Sequence, residues 1–185
     1  MRVETIVTED WDALRARING HLEKLVNPTD GQPMLVRQVV AESVTAPGKR
    51  LRAMLVELTL RDLGGQSAAA IPAGCAVELV HTASLLLDDL PCMDDAQTRR
   101  GRPALHISFG EDVAILASIA LLGEAFGMIA RLDEVGGEQR SAMSAALSEA
   151  IGISGLVGGQ LQDLRQSGSY RQDTATQAND RKTGA

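Results

Sequence analysis

Residues 78–100 read ELVHTASLLLDDLPCMDDAQTRR, and this stretch joins an apolar helical run to four aspartates and two arginines. Asp88 and Asp89 directly follow three leucines, where an unpaired charge would be costly. Carboxylate oxygens are the ligands that hard divalent cations such as Mg²⁺ prefer, and Arg99 and Arg100 add groups that bind anions. The combination predicts a site for a metal-bound phosphate. The simpler alternative is an exposed acidic loop after a buried helix.

The composition predicts an all-α protein that forms a single helical domain over residues 1–185. Of the 185 residues, 44% are apolar and 23% are charged, and the aromatic residues are one tryptophan, one tyrosine and two phenylalanines. Abundant alanine and leucine favour helices over a β-sandwich. The formal net charge of -6 argues against a general nucleic-acid-binding or anionic-membrane surface. Any anion must therefore be bound by a local basic cluster.

Cysteine usage and the N-terminal residues indicate a reducing compartment. Cys75 and Cys92 are too few for a disulfide framework, and the acidic N-terminal stretch does not resemble a secretory signal. We therefore expect a cytoplasmic protein. The apolar stretch 113–123 is bounded by charged residues that lie too close together for a bilayer span. No membrane span is expected, and this stretch is predicted to be a helix buried on all sides.

Apolar periodicity and helix-breaking residues predict seven helical segments. The first segment covers about 9–26, with Thr8 as N-cap, and the second carries Leu35 to Val44 and stops before Pro47. The next four cover about 49–63, about 68–90, 111–132 and 138–166, and a last segment begins at about 174. The segment 138–166 contains four glycines, and each costs roughly 1 kcal/mol relative to alanine inside a helix. We therefore expect these glycines to permit close approach of another backbone or a ligand.

On the fourth predicted helix, His81, Ser84 and Asp88 recur at helical spacing. His81 and Asp88 are two turns apart and Ser84 is one turn before Asp88, so the three lie on nearly the same face. A single histidine in such a position is more often a hydrogen-bonded structural residue. Its alignment with the acidic residues favours a role in ligand binding.

A second basic cluster, Lys49 and Arg52, stands at the predicted start of the third helix. At a helix N-terminus, free backbone amides add to an anion site. Basic residues there are unfavourable for the helix dipole, which favours a bound anion over the alternative of a solvated basic helix end. Two weaker pairs follow later in the chain: Gln160 with Asp163, and Lys182 with Thr183.

Five motifs in this order make the chain resemble the trans-isoprenyl diphosphate synthases. They are GKRLR at 48–52, ELVHTASLLLDDLPCMDD at 78–95, RRG at 99–101, GQ at 159–160 with Asp163, and KTG at 182–184. The resemblance covers essentially the whole chain and is closest to the bacterial geranylgeranyl diphosphate synthases of carotenoid-type pathways. Two departures matter. Ala53 stands where the family usually has proline, and the sequence ends before the family's second aspartate-rich motif. We expect either a part of a longer enzyme or a natural short homologue with half of the metal site.

The resemblance implies an isoprenoid-synthase helical bundle with a central active-site cavity, from which the C-terminal helices are missing. It also implies the reaction. An allylic diphosphate ionises with the help of Mg²⁺, two or three ions in the complete enzyme, and the double bond of isopentenyl diphosphate attacks the resulting carbocation. Water must be kept away from this cation, so the apolar helices are part of the mechanism. A homodimer is implied as well, with the helix over 111–132 as the candidate interface.

The resemblance also assigns roles to the charged residues by motif. The implied metal ligands are Asp88, Asp89 and Asp94, with Pro91 distorting the helix end so that carboxylates six residues apart reach one metal cluster. Isopentenyl diphosphate would be held by Lys49, Arg52, His81 and Arg100. The allylic diphosphate would contact Arg99, Lys182 and Thr183, while Gln160 and Asp163 would line the same cavity opposite the acidic residues.

The residues one turn before Asp88 predict the length of the product. A growing prenyl tail should run back along the fourth helix, where one isoprene unit matches about one helical turn, roughly 5 Å. Ala83 and Ser84 occupy this level, where a short-product enzyme would carry a bulky aromatic ring. We therefore expect a twenty-carbon product over a fifteen-carbon product.

Two other functions are weighed against this synthase. A catalytically impaired homologue that binds and regulates a complete synthase would explain the missing second aspartate-rich motif, although such a partner has no physical need for the diphosphate-binding residues. A terpene cyclase ionises the same kind of substrate but needs no site for a second diphosphate. Lys49, Arg52 and His81 therefore argue against a cyclase.

Overall fold

The computed structural model describes residues 11–26, 33–65 and 68–166, and it confirms the predicted all-α class. The elements of this part of the chain, in order, are α1 (Trp11–Leu25), α2 (Met34–Thr45), α3 (Leu51–Asp62), α4 (Ala70–Asp88), β1 (Thr98–Arg99), β2 (Arg102–Pro103), α5 (Leu105–Phe109), α6 (Glu111–Ala130), α7 (Gly137–Ile151) and α8 (Leu156–Gln166). Five of the predicted helical segments correspond to α1, α2, α3, α4 and α6. Thr8 and the segment predicted from 174 lie outside the described residues.

The chain groups into two compact units, Met1–Ser148 and Glu149–Ala185. The first unit contains α1 to α6 and most of α7, and the second contains the end of α7 and all of α8. A single helical domain over residues 1–185 stays a prediction.

α4 is the central helix of the first unit. It packs most extensively against α6, next against α3, and also against α1 and α2. From α1, Leu14, Ile18 and Leu22 follow one another at four-residue spacing on one face, and each is at most 1% exposed. Complete burial of one such side chain contributes roughly 1.5–3 kcal/mol to folding. Because α4 is enclosed by several helices, any charged side chain on it needs a partner.

The backbones of α3 and α4 approach each other closely at Gly74. A Cβ atom on Gly74 would lie 2.8 Å from the carbonyl oxygen of Ala53 and 2.9 Å from its Cα. Ala53 itself is 1% exposed. Glycine is therefore required in α4 at this point, and the contact fixes the start of α3 against α4.

The expectation that the apolar helix over 113–123 is buried on all sides is wrong for the single chain. Ala117 and Leu121 of α6 point into the core, whereas Ile115, Leu116 and Ile119 on the opposite side are 39%, 53% and 60% exposed. The physical reason is that α2, α4 and α5 pack against one side of α6. The other side of this apolar helix is left open.

Three segments of the described chain are long and apolar enough to cross a membrane by length and composition alone: Ala70–Asp88, Glu111–Ala130 and Gly137–Arg165. The stretch 113–123 thus lies within the longer apolar helix α6, which agrees with the helix predicted over 111–132. Of the apolar window in α4, 67% is buried inside the protein. The absence of a membrane span stays a prediction.

The connection after α4 contains two elements that the sequence did not predict. Residues 98–103 form an antiparallel hairpin in which Thr98 lies opposite Pro103 and Arg99 opposite Arg102. The hairpin leads into the short helix α5, which has only five residues. Elements of this length show too few periods to be recognised in a sequence.

The predicted continuous helix over 138–166 is wrong, because the structure contains two helices, α7 and α8. A Cβ atom on Gly155 would lie 2.1 Å from the carbonyl oxygen of Ala150, and one on Gly158 would lie 2.1 Å from that of Ile153. These two glycines therefore make room for the chain's own preceding turn. The sequence had predicted another backbone or a ligand there.

Replacement of Gly74 by alanine should destabilise the first unit by roughly 1–3 kcal/mol, because the added methyl group pushes the α3 backbone away from α4. The matched control is Gly20→Ala in α1, where an added Cβ meets nothing within 4 Å. That change should be neutral or stabilise by up to about 1 kcal/mol. Urea unfolding measures both free energies, and equal values for the two variants would contradict the close approach.

Candidate functional site

The acidic residues lie where α4 ends and the chain turns back. α4 ends at Asp88, three residues before Pro91, which fits the predicted effect of proline on the preceding turn. In the turn, the Asp94 N–H donates to the Asp88 carbonyl oxygen at 2.9 Å, and the Asp95 N–H donates to that of Leu90 at 3.1 Å. Asp95 adopts a left-handed conformation with φ of 49°. This turn returns Asp94 to the level of Asp88.

Asp88 and Asp94 form a pair of carboxylates that repel each other. Burial raises the pKa of Asp88, the negative charge of Asp94 raises it further, and Arg99 partly offsets both effects. In the described part of the chain, no group of three or more His, Cys, Asp or Glu side chains is arranged to hold a metal ion. Mg²⁺ is commonly bound by one or two carboxylates together with substrate phosphates. The Asp88–Asp94 pair therefore fits a Mg²⁺ ion that a phosphate helps to bind.

Asp89 faces a different partner from Asp88. It is 3% exposed, and both its oxygens accept hydrogen bonds from the Nε and Nη2 atoms of Arg99, each at 2.6 Å. The bond to Asp89 raises the pKa of the Arg99 guanidinium. The implied role of Asp89 as a metal ligand stays a prediction, but in this arrangement Asp89 orients Arg99. The remaining N–H groups of Arg99 are available for an anion.

Cationic side chains converge on His81 from two segments of the chain, α3 and the hairpin. The pKa of His81 is lowered, first by burial and then by the positive charge of Arg52 on α3, with smaller effects from Arg100 and Arg99 of the hairpin. Glu78 opposes this shift. A neutral histidine surrounded by three arginines is typical of a site for an anion with several negative charges.

A cavity of about 420 Å³ adjoins this cluster on the side of Asp89. It is lined by residues of α2, α4, α5 and the hairpin, among them His81, Asp89, Arg99 and Arg100. Arg100 has a left-handed backbone with φ of 53°, and its Nη1 atom donates to the Pro47 carbonyl oxygen. The structure thus brings four predicted site residues to one cavity wall.

The start of α3 differs from its prediction. α3 begins at Leu51 and not at about 49, because Arg50 adopts a left-handed conformation with φ of 53°. Lys49 is therefore exposed in the segment before the helix. The backbone amides expected to bind an anion are occupied, since the Arg52 and Ala53 N–H groups donate to Oε1 of Glu78 at 3.1 and 3.2 Å. The proline that the family usually carries at position 53 could not make this bond, because it has no N–H.

Sequence reasoning missed Arg50 and Glu78 as parts of this region. Arg50 is 7% exposed and Glu78 is 5% exposed, and the Arg50 Nη1 atom lies 4.0 Å from Oε2 of Glu78. A glutamate within the apolar run of α4 was the signal that could have found the pair, because a buried carboxylate needs a cationic partner.

The remaining predicted residues fall into three groups. Ala83 is fully buried, and Ser84 is half-buried with its hydroxyl donating to the His81 carbonyl oxygen at 2.9 Å. Gln160 and Asp163 lie on α8 in the second unit, half-buried and exposed respectively. Lys182 and Thr183 lie outside the described residues. The roles of all six residues stay predictions.

Residues 33–185 match the family model described as polyprenyl synthetase. The geranylgeranyl diphosphate synthase of Pseudescherichia vulneris is 47% identical over 176 residues, which cover 94% of this chain and 57% of that protein. The geranylgeranyl diphosphate synthase of Pantoea ananas is 47% identical over 162 residues, which cover 86% of this chain and 53% of that protein. The chain thus spans little more than half the length of these relatives.

Solved structures agree with these relatives. A geranyltransferase from Legionella pneumophila superposes with a TM-score of 0.81 at 31% identity, over 90% of this chain and 59% of that one. An FPP/GFPP synthase from Zymomonas mobilis gives a TM-score of 0.76 at 31% identity, over 84% of this chain and 58% of that one. The resemblance inferred from the five sequence motifs is thereby confirmed.

Asp88→Asn should raise the thermal midpoint of unfolding at pH 7. The pKa of Asp88 lies above its ordinary value of 3.8 in the folded protein, so the folded state binds this proton more tightly than the unfolded state. The stability that Asp88 contributes is therefore complete below that ordinary value and is lost as the pH rises through the folded pKa. The gain from the amide should vanish in acid.

Thermal unfolding at several pH values checks this expectation. Asp95→Asn is the matched control, because it removes a carboxylate from the same turn at an exposed position, and asparagine tolerates a left-handed backbone. A lower midpoint for Asp88→Asn than for the wild type at pH 7 would contradict the repulsion between Asp88 and Asp94.

Proposed function

This chain belongs to the polyprenyl synthetase family, and from that membership we propose that it binds isopentenyl diphosphate and an allylic diphosphate and joins them head to tail. The proposed product is geranylgeranyl diphosphate. The observation that carries the proposal is the convergence of Arg52, His81, Arg99 and Arg100 beside the Asp88–Asp94 pair. Two diphosphates and a divalent ion need this combination of cationic and anionic groups at one place.

The proposed reaction breaks the bond between the allylic carbon and its diphosphate, and the double bond of isopentenyl diphosphate then attacks the allylic cation before a proton is lost. Arg99, held by Asp89, neutralises charge on the leaving diphosphate. Arg52, His81 and Arg100 bind the second diphosphate and orient its hydrocarbon end. Such preorganised cations stabilise charge that develops in the transition state.

Asp88 and Asp94 would hold the Mg²⁺ ion, which when bound supplies Lewis-acid stabilisation of the leaving diphosphate. Their mutual repulsion supports this assignment, because a divalent cation between them removes the cost of keeping both ionised. Asp89 contributes indirectly in this scheme by orienting Arg99. The apolar side chains of α4 exclude water from the cation.

Asp88→Asn and Asp94→Asn should each abolish the rise in thermal midpoint that Mg²⁺ with inorganic diphosphate causes in the wild type. Each variant removes one of the two carboxylates that hold the ion, and a ligand that binds only the folded state stabilises it by an amount that rises with the logarithm of its concentration over its Kd. Asp95→Asn should retain the wild-type response. A response to Mg²⁺ that survives in all three variants would contradict the metal assignment.

The decisive experiment supplies the purified chain with Mg²⁺, isopentenyl diphosphate and an allylic diphosphate. The synthase proposal predicts release of diphosphate and a twenty-carbon prenyl product. The second candidate is a regulatory subunit that binds a complete synthase. If the chain is such a subunit, it should bind the substrates without converting them, and product should form only when a complete synthase is added. A cyclised hydrocarbon product would point to a terpene cyclase instead.

Product length should depend on the side chains one turn before Asp88. In an active form of the protein, Ala83→Phe should shorten the product, because an aromatic ring at this level blocks the path of the tail along α4. Ala83 is fully buried, so Ser84→Phe at the half-buried neighbour is the variant that disturbs the core less. Chromatography of the dephosphorylated products measures their length. An unchanged product in both variants would contradict the proposed floor.

We also propose that the chain forms a homodimer. The exposed side of α6, formed by Ile115, Leu116 and Ile119, is an apolar surface that a second copy of the chain could cover. Because α6 also packs against α4, a dimer contact on the exposed side of α6 would adjoin the helix that ends at Asp88.

A further inference from the structure

We propose that Arg50 and Glu78 are positioning residues that set the geometry of the isopentenyl diphosphate site, an inference that rests on the proposed function. Neither residue belongs to the set predicted to contact a diphosphate. Both are largely buried and line the same cavity as His81. Glu78 bonds to the backbone of Arg52, and Arg50 bonds to the backbone at the end of α2 and at Ala46.

Arg50 connects three segments of the chain. Its Nε atom donates to Oδ1 of Asn19 on α1 at 2.8 Å. Its Nη2 atom donates to the carbonyl oxygens of Val44 and Ala46 at 2.7 and 2.9 Å. The side chain therefore fixes the end of α2 and the segment that leads to Lys49. Its left-handed backbone is rare for a residue with a side chain, so these bonds must hold it in place.

Glu78 connects α4 with the start of α3. Its Oε1 atom accepts the backbone N–H groups of Arg52 and Ala53, and its Oε2 atom faces Arg50 at 4.0 Å. His81 lies one turn further along α4. Glu78 thus sets the position of Arg52 relative to His81, and the guanidinium of Arg50 faces the Glu78 oxygen that the two amides leave free.

The same segment also positions Arg100. The Pro47 carbonyl oxygen accepts a hydrogen bond from Arg100, and a Cβ on Gly48 would lie 3.3 Å from Nη1 of Arg100. Pro47 follows directly on Ala46, which Arg50 holds. Displacement of Arg50 would therefore move the acceptor of Arg100 as well as the residues next to Lys49.

The test is the affinity of the 185-residue chain for isopentenyl diphosphate, measured by titration calorimetry. Arg50→Lys keeps the positive charge that faces Glu78, but an ammonium group cannot replace the planar fork that reaches all three acceptors. Glu78→Gln keeps an oxygen that can accept the two amides and removes the charge. Each variant should bind isopentenyl diphosphate at least about tenfold more weakly, which is the effect of losing one hydrogen bond from a displaced side chain to the charged diphosphate.

Glu57→Gln is the matched control. Glu57 on α3 is 7% exposed and pairs with Arg61 at 2.6 Å, so it resembles Glu78 in burial and in partner. Glu57 lines a different cavity, together with Arg17, Leu60 and Gly64 among others, and none of the predicted diphosphate ligands lines that cavity. This variant should lose stability and keep the wild-type affinity. Glu78→Ala, which loses the acceptor as well as the charge, should bind more weakly than Glu78→Gln.

Four outcomes decide the proposal. Weaker binding by Arg50→Lys and Glu78→Gln, with unchanged binding by Glu57→Gln, supports it. Wild-type affinity in both Arg50→Lys and Glu78→Gln overturns it. Equal weakening in all three variants also overturns it, because a general loss of stability then explains the effect. A folded wild-type chain that does not bind isopentenyl diphosphate overturns the proposed function itself, and this inference with it.

Discussion

The burial of carboxylates on α4 is the constraint on which the whole site depends. Glu78 and Asp89 are 5% and 3% exposed on a helix enclosed by α1, α2, α3 and α6. An unpaired charge in such surroundings is strongly destabilising, so each carboxylate requires an arginine. Arg50 and Arg99 meet this need. The segments that contain these arginines also carry Arg52 and Arg100, and pairing in the core thereby assembles a cationic surface around His81.

Asp88 differs from its neighbour Asp89 although the two are adjacent at the C-terminal end of α4. Asp89 has both oxygens bound to Arg99, whereas Asp88 faces Asp94 and its pKa is raised. Asp89 therefore stabilises the fold through Arg99, whereas the negative charge of Asp88 is only partly offset by Arg99. Charge left uncompensated at a partly buried position is typical of a functional site. The sequence motif alone gives the two residues the same appearance.

Much of the helical arrangement could be predicted because its signals are local. Apolar residues at three- to four-residue spacing marked α1, α2 and α4, and proline and glycine marked their ends. The failures have physical causes of two kinds. Gly155 and Gly158 permit a break between α7 and α8 that no periodicity reveals. The open side of α6 depends on which helices pack against it, and an apolar helix looks the same in a sequence whether one side or all sides are covered.

The sequence by itself determined the helical class, the approximate positions of α1, α2, α3, α4 and α6, and the identity of the charged groups, since these follow from local spacing and residue chemistry. Only the tertiary structure decided which charges pair with each other and which remain for a ligand. Arg50 meets Asn19 and Glu78, and Arg100 meets Pro47, across separations of 28 to 53 residues. Packing alone sets such distances, because burial makes pairing obligatory without specifying in the sequence which partner will be near.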